Sequence, residues 1–302
     1  MVGYRMLLSG PCNGLVCIAQ HVSSGGAITN IVLYNPSLKQ HKILPQSDLL
    51  CPADVFFRES KIFGFGYDSI NNDYKVVRQH SWTWITGINH QNENIIMGGS
   101  MMIITEVFTL KTNTWRRVGF PDNAFVCDKF QCLFNGAIHR LVHNYSDSSL
   151  QLLCFDVSNE TSHLFQVPNG ITKLGGTCVY GDSLSIFNLV LKGNEPWCDM
   201  WVMEEYGVDN SWTLLHSIRL FSSSVDYPHG RWSILGFGMN GELIFRHPYA
   251  EKIAMWRYPH EESFENVAEF HRDPFVGFNS IGFHRVVACV ESLVSLNDEE
   301  GN

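Results

Sequence analysis

Short apolar runs separated by polar turns dominate the chain. Ile31-Val32-Leu33-Tyr34, Tyr74-Lys75-Val76-Val77, Met102-Ile103-Ile104-Thr105 and Ser185-Ile186-Phe187-Asn188-Leu189-Val190 are rich in β-branched or aromatic residues. Gly, Asn, Asp or Pro bounds each of them, which predicts strands. No long apolar stripe of helical period is present; residues 259–270 are the best candidate for a short helix. The pattern reads as all-β.

The runs recur as a hairpin-like unit: an apolar strand, a polar turn, then a strand carrying an aromatic or β-branched residue. Copies lie at 31–44, 65–78, 106–118, 152–167 and 200–218, with a degraded one at 252–267. Asn and Asp occupy the turns because they tolerate positive φ and bond the local backbone. Trp115 and Trp212 fall at matching places after the turn. A second element, a turn dipeptide followed by a strand, precedes several hairpins: Asn13-Gly14, Asn135-Gly136, Gly181-Asp182 and Asn240-Gly241, with a fifth copy around Val290–Val294.

Together these make a unit of roughly 45–60 residues containing about four short strands, the signature of a β-propeller. One four-stranded sheet cannot bury both its faces, whereas radial packing lets each blade cover its neighbour. The expectation is a kelch-like β-propeller of about six four-stranded blades over 1–296, with an acidic polar tail at 297–302. A strand from 286–296 pairing with an N-terminal strand would close it. A two-domain β-sandwich would need a composition break near the middle, and Pro168-Asn169-Gly170 is an ordinary turn.

Composition narrows the function. Hydrophobic residues are 45% of the 302, aromatics 13% and charged residues 17%, which is opposite to a disordered chain. The net charge is −9 with no basic run, so the footprint of a nucleic-acid binder is missing. No stretch approaches a membrane span, and residues 1–9 do not read as a signal peptide. The expected location is cytoplasmic or nuclear, with no membrane partner. Nine Cys without a C-x-x-C argue against a disulfide framework. Cys127 and Cys132 with His139 and His143 can be drawn as a zinc site, but the Cys spacing is wide for one; no metal and no cofactor is expected.

Several motifs, in order, resemble the plant F-box-associated domain. Gly10-Pro11-Cys12-Asn13-Gly14-Leu15-Val16-Cys17 looks like its opening. Tyr34-Asn35-Pro36-Ser37 followed by Ile43-Leu44-Pro45 is similar to its N-P-x-T…LP segment, with Ser for Thr. Phe63–Ser69 with Asn72–Val77 resembles its GFGYD…DYKVV block. Glu106-Val107-Phe108 with Thr114-Trp115-Arg116, and Trp201–Val208 with Ser211-Trp212, continue the series. The wording is nearest the S-locus type of F-box protein. The resemblance implies the substrate-recognition half of a Skp–cullin–F-box ubiquitin ligase, whose partner is a target protein for ubiquitination. No F-box pattern precedes Gly10, so a Skp-type adaptor is expected only if an F-box lies upstream. A decoy binder that never delivers its target is the alternative.

A search for an active site finds little. Gly64-Phe65-Gly66 lacks the third glycine and helix of a dinucleotide site, and Gly98-Gly99-Ser100 lacks the P-loop Lys. There is no G-x-S-x-G and no H-E-x-x-H. His139 and His143 near Asp147 allow a triad only on paper. The chain reads as no enzyme, although a propeller-scaffold hydrolase stays open because fold does not set function. The binding candidates are aromatic. Trp82 and Trp84 lie in the longest irregular insertion, 79–101; Trp-x-Trp also fits a strand with both rings on one packed face. Asp226, Tyr227, His229 and Arg231 cluster at a second turn, which also fits a plain inter-blade loop, and Trp197 follows Asn194-Glu195-Pro196.

Overall fold

The structure, a computed structural model, describes residues 4–22, 28–49, 57–83, 101–121, 124–127, 131–144, 147–172, 175–193, 195–220, 233–237, 242–246, 252–256, 265–269 and 291–296. Antiparallel meanders make up almost all of it. The first sheet runs β1 (Tyr4–Cys12), β2 (Leu15–Val22), β3 (Ile28–Asn35) and β4 (Gln40–Ile43). The second runs β5 (Phe57–Asp68), β6 (Asp73–Thr83), β7 (Met101–Thr109) and β8 (Thr114–Val118). In the third, β9 (Ala124–Val126) and β10 (Cys132–Phe134) share one side of β11 (Ala137–Asn144), which pairs with β12 (Leu150–Asp156) and then β13 (Ser162–Gln166). The fourth holds β14 (Gly176–Tyr180), β15 (Ser183–Lys192), β16 (Glu195–Met203) and β17 (Trp212–Arg219). The fifth holds β18 (Ser233–Phe237), β19 (Leu243–Arg246), β20 (Lys252–Trp256) and β21 (Glu265–Glu269).

Two expectations need correction. The helix at 259–270 is not formed in its described part: Glu265–Glu269 is β21, paired with β20. An outer strand completes the sheet's ladder, and that tertiary pairing outweighs a weak helical pattern. The hairpin at 65–78 joins the first and second strands of its sheet, whereas 31–44, 106–118, 152–167 and 200–218 join the third and fourth. Five sheets lie among the described residues.

The turns form as their chemistry dictates. Asn35 Oδ1 accepts the amides of Ser37 and Leu38 at 2.9 and 3.2 Å. Asp156 Oδ1 does the same for Ser158 and Asn159, both at 2.8 Å. Each such turn exits through a positive-φ residue, Lys39 in the first case and Glu160 in the second.

The core lies in the seams between sheets. Leu15, Cys17 and Leu33 of the first sheet pack with Phe65, Val76 and Phe108 of the second. Val77 and Val107 pack with Ile138, Leu153 and Phe155 of the third. Leu141 and Leu152 pack with Leu184 and Ile186 of the fourth, whose Phe187, Cys198 and Ile218 pack with Ile234 and Leu243 of the fifth. Alternation along a strand explains why every inner strand is apolar on both faces. In β6, Val76 faces the first sheet and Val77 the third. The glycine pair in β5 has the same origin. A Cβ on Gly64 would stand 2.5 Å from Ile138 Cγ2, and one on Gly66 2.8 Å from Val157 Cγ2. Where three innermost strands converge, Gln131 joins them. Its Oε1 accepts from Ser9 Oγ and, at 2.7 Å, from the Phe65 amide, and its Nε2 donates to Phe65 O at 2.5 Å.

Of the expected closing segment, 286–296, residues 286–290 lie outside the described residues. Residues 291–296 form no strand. Side chains of the β3–β4 region hold them, and Leu296 joins the core between the first and second sheets.

Candidate interaction surface

A four-stranded meander has two unlike ends. At one end lie the connections from first to second strand and from third to fourth. Most of these are short, residues 13–14, 69–72, 135–136 and 181–182, and 36–39, 110–113 and 157–161; the β16–β17 connection, 204–211, is longer and carries a 3-10 turn at Asp209–Ser211. At the other end lie the connections from second to third strand and from one sheet to the next. Contacts across the seam between the second and third sheets hold those two in common alignment. Lys75, near the tight-turn end of β6, reaches the 157–160 turn of the third sheet, while Gln79, further along, bonds Ala124 O at 3.0 Å and the Val126 amide at 3.2 Å.

The strands flanking all three groups of candidate residues bring them to the second end. Thr83 and Met101 flank 84–100; Lys192 and Glu195 flank the β15–β16 turn; Arg219 and Ser233 end the strands on either side of 220–232. Trp84, Asp226, Tyr227, His229 and Arg231 lie outside the described residues.

Trp82 is a correction. It lies in β6 and is only 5% exposed, with its ring 6.4 Å from that of His80. β6 continues through Thr83 in ladder with β7, so residues 79–83 are strand rather than insertion. Alternation turns Trp82 to the same side as Val76, into the seam with the first sheet.

Trp197 is the described aromatic at this end. It is half-buried in β16, and Lys192 Nζ stands 5.1 Å from its ring centroid. The same ammonium donates to Asp199 Oδ1 at 2.7 Å and Ser217 Oγ at 2.5 Å, and Ser217 Oγ donates to Asp199 Oδ1 at 2.6 Å. Arg219 pairs with Glu195 beside them, and Leu191 is exposed. Trp197 Nε1 has no acceptor among the described residues. An aromatic face with a fixed cation above it and an apolar neighbour suits a protein surface better than bond chemistry.

The residues weighed for catalysis do not converge. His139 is fully buried and meets the Tyr206 hydroxyl at 3.0 Å, while Asp147 is exposed and accepts the Ser149 amide at 2.8 Å. Burial pulls the His139 pKa down to about 4, against opposing hydrogen bonds from the backbone of Cys132 and Ala137. Burial pushes the Cys12 and Cys198 thiols up to about 12, far from the thiolate a nucleophile needs. Cys127 Sγ donates to Leu141 O, and no group of three or more His, Cys, Asp or Glu able to hold a metal exists among the described residues. No helix among them is long and apolar enough to cross a membrane. Glu204 and Glu205 are exposed on the β16–β17 turn.

Sequence reasoning missed the polar positions inside the seams. Cys17, Lys75, His139 and Ser185 are each the third residue of their sheet's second strand, and each is buried. Lys75 and His139 both reach the turn between third and fourth strands of the next sheet, Lys75 at Glu160 and His139 at Tyr206. Position in the unit could have grouped these residues, but their partners lie one unit away in the sequence.

Comparison with known proteins agrees with this architecture. The family profile described as F-box associated beta propeller domain matches residues 3–262. The Arabidopsis thaliana F-box protein CPR1 is 26% identical over 232 residues, covering 70% of this chain and 51% of that protein. The Arabidopsis F-box/kelch-repeat protein At3g23880 is 29% identical over 212 residues, covering 69% and 52%. The chain thus spans about half the length of these curated relatives. Among solved structures, the β-propeller domain of the Myceliophteria thermophila Cps50 (Swd1) protein aligns at TM-score 0.44 and 10% identity, covering 89% of this chain and 88% of that one. The propeller domain of the Pyrococcus furiosus trilobed protease aligns at 0.39 and 9%, covering 88% and 71%. With seam-packed four-stranded sheets and a profile matched over most of its length, this chain belongs to the F-box-associated β-propeller family.

Proposed function

We propose that this propeller is the target-recognition module of a Skp–cullin–F-box ubiquitin ligase, and that it holds a target protein non-covalently at the loop-bearing end of its sheets. One observation carries the reading: the strands bring the 84–100 connection, the Trp197 turn and the 220–232 connection to the same end, while in the first three sheets the opposite end closes in short turns. Binding residues concentrate on loops set out by a rigid scaffold. The domain performs no bond chemistry; it contributes proximity, holding target lysines near the transferred ubiquitin. A Skp-type adaptor joins only if an F-box lies upstream of this domain, and the complex works in the cytoplasm or nucleus.

The test is differential capture from plant extract with the wild type, Trp84→Ala, Trp197→Ala and a combined Asp226→Ala, Tyr227→Ala, His229→Ala, Arg231→Ala variant, each checked for native circular dichroism. A partner lost from the variants and ubiquitinated in the presence of the full-length protein supports the reading. Partners captured equally by all would sink it. A partner that is bound but becomes longer-lived on overexpression would favour the decoy.

A further inference from the structure

We propose that the β3–β4 turn, with the seam beside it, is a peptide-binding site that reads extended main chain. Residues 291–296 occupy it in cis, and a partner segment with the same small–x–valine–x–leucine spacing can occupy it in trans. The site lies at the tight-turn end, away from the loops of the proposed function, and does not depend on that reading.

Asn35 is its centre. The side chain is buried, and its Oδ1 is engaged by the amides of its own turn. Its Nδ2 is thereby aimed at the segment, donating to Ser292 O at 3.1 Å and Val294 O at 2.8 Å. Ser37 Oγ accepts the Ser292 amide at 3.0 Å, and Gln40 Oε1 accepts the Leu296 amide at 3.0 Å. Three side chains therefore engage four main-chain groups on alternate residues, as an extended chain presents them. The residues between face outward: Leu293 is 89% exposed, whereas Leu296 is 4% exposed and Val294 packs on the same core. Main-chain hydrogen bonds give affinity and alternate side-chain seats give selectivity, the logic of extended-peptide recognition.

The chemistry differs from that of the matching turn in the third sheet. The equivalent residue in the third sheet is Asp156, which builds the same turn, but its second oxygen accepts from Asn159 Nδ2 at 3.0 Å. A carboxylate has no proton to give to two carbonyls; an amide has two.

The probe is a fluorescein-labelled peptide, Glu-Ser-Leu-Val-Ser-Leu, titrated against the full chain by fluorescence polarisation. Leu296→Asp ejects the cis segment, whose tethered copy otherwise competes at high effective concentration, so binding tightens about tenfold or more over wild type. Adding Asn35→Asp to that variant abolishes the gain while keeping the turn. Equal affinity for Leu296→Asp and wild type, or undiminished binding by the double variant, overturns the proposal. If Leu296→Asp fails to fold, hydrogen exchange on the wild type decides: excess peptide accelerates exchange of the Ser292 and Leu296 amides, and unchanged rates overturn it. A wild-type dimer that Asn35→Asp dissociates would assign the site to a second copy of this chain and likewise overturn it.

Discussion

Lys75 of the second sheet and Glu160 of the third form a buried ion pair across their seam, Nζ to Oε1 2.8 Å. Asp68 of the second sheet lies 2.6 Å from the same ammonium, which also donates to Val157 O at 2.9 Å. Burial disfavours the Lys75 charge, but Asp68 and Glu160 more than offset it and raise the pKa. Burial likewise opposes Asp68 ionisation, yet hydrogen bonds from Asn71 and Lys75 hold that carboxyl below its ordinary range.

Removing the cation alone is therefore costly. Lys75→Met leaves the buried Asp68 carboxylate without its cation, while Glu160 keeps Arg116, and is expected to destabilise the fold by about 3–5 kcal/mol. Adding Asp68→Asn should restore much of that loss, because the stranded charge goes too. Urea midpoints of the two variants check the order.

Acid should weaken the fold in two successive, overlapping windows. His80, Ser47 and Arg78 overcome the burial penalty on Glu106 and lower its pKa from 4.5 to about 2. A depressed carboxyl stabilises above its unfolded pKa and loses that contribution as pH falls through the folded one. Glu106 thus accounts for stability lost between 4.5 and about 2. His139 differs, being buried neutral: its pKa falls from 6.5 to about 4, so the unfolded chain binds its proton first and stability drops as pH falls across that range. His80, also lowered by burial, acts in the same direction below the ordinary histidine range. Melting curves should show His139→Gln flattening the upper window and Glu106→Gln the lower. Unchanged slopes would contradict both assignments.

The two turn tryptophans should behave alike. Trp115 Nε1 donates to Pro45 O at 2.8 Å and Trp212 Nε1 to Gln166 O at 3.0 Å, each beyond its own sheet. Replacement by Phe keeps most of the ring and leaves one carbonyl without its donor, costing about 1 kcal/mol at each site. The seams are separate, so the double variant should show the sum within about 0.5 kcal/mol. A chemical-denaturation series reads this directly.

Gly64→Ala places a methyl group against Ile138, and overpacking of this kind costs about 1–3 kcal/mol. Pairing it with Ile138→Val removes the Cδ1 atom, which lies 2.8 Å from the new Cβ, and should recover part of the loss. Thermal midpoints of the single and double variants make the comparison.

Much of this was legible in the chain. The turn dipeptides Asn13-Gly14 and Asn135-Gly136 sit where β1–β2 and β10–β11 reverse, and Trp115 and Trp212 occupy like places. Those signals are local: positive φ, period-two alternation and β-branched runs act within a few residues. The burial of Trp82 was not legible, because Trp-x-Trp reads the same on an exposed loop and on a strand whose faces are both covered.

The amino-acid sequence by itself determined the strand-and-turn unit and its repetition, since one sheet with two apolar faces is stable only when neighbours cover both. Tertiary structure alone decided what each polar residue inside those faces does. Lys75 needed Glu160, His139 needed Tyr206, and Asn35 needed the chain at 292–296. Each partner lies across a seam or near the far end of the chain, and a buried polar group is stabilised by whatever the packing brings within hydrogen-bond reach, not by its neighbours in sequence.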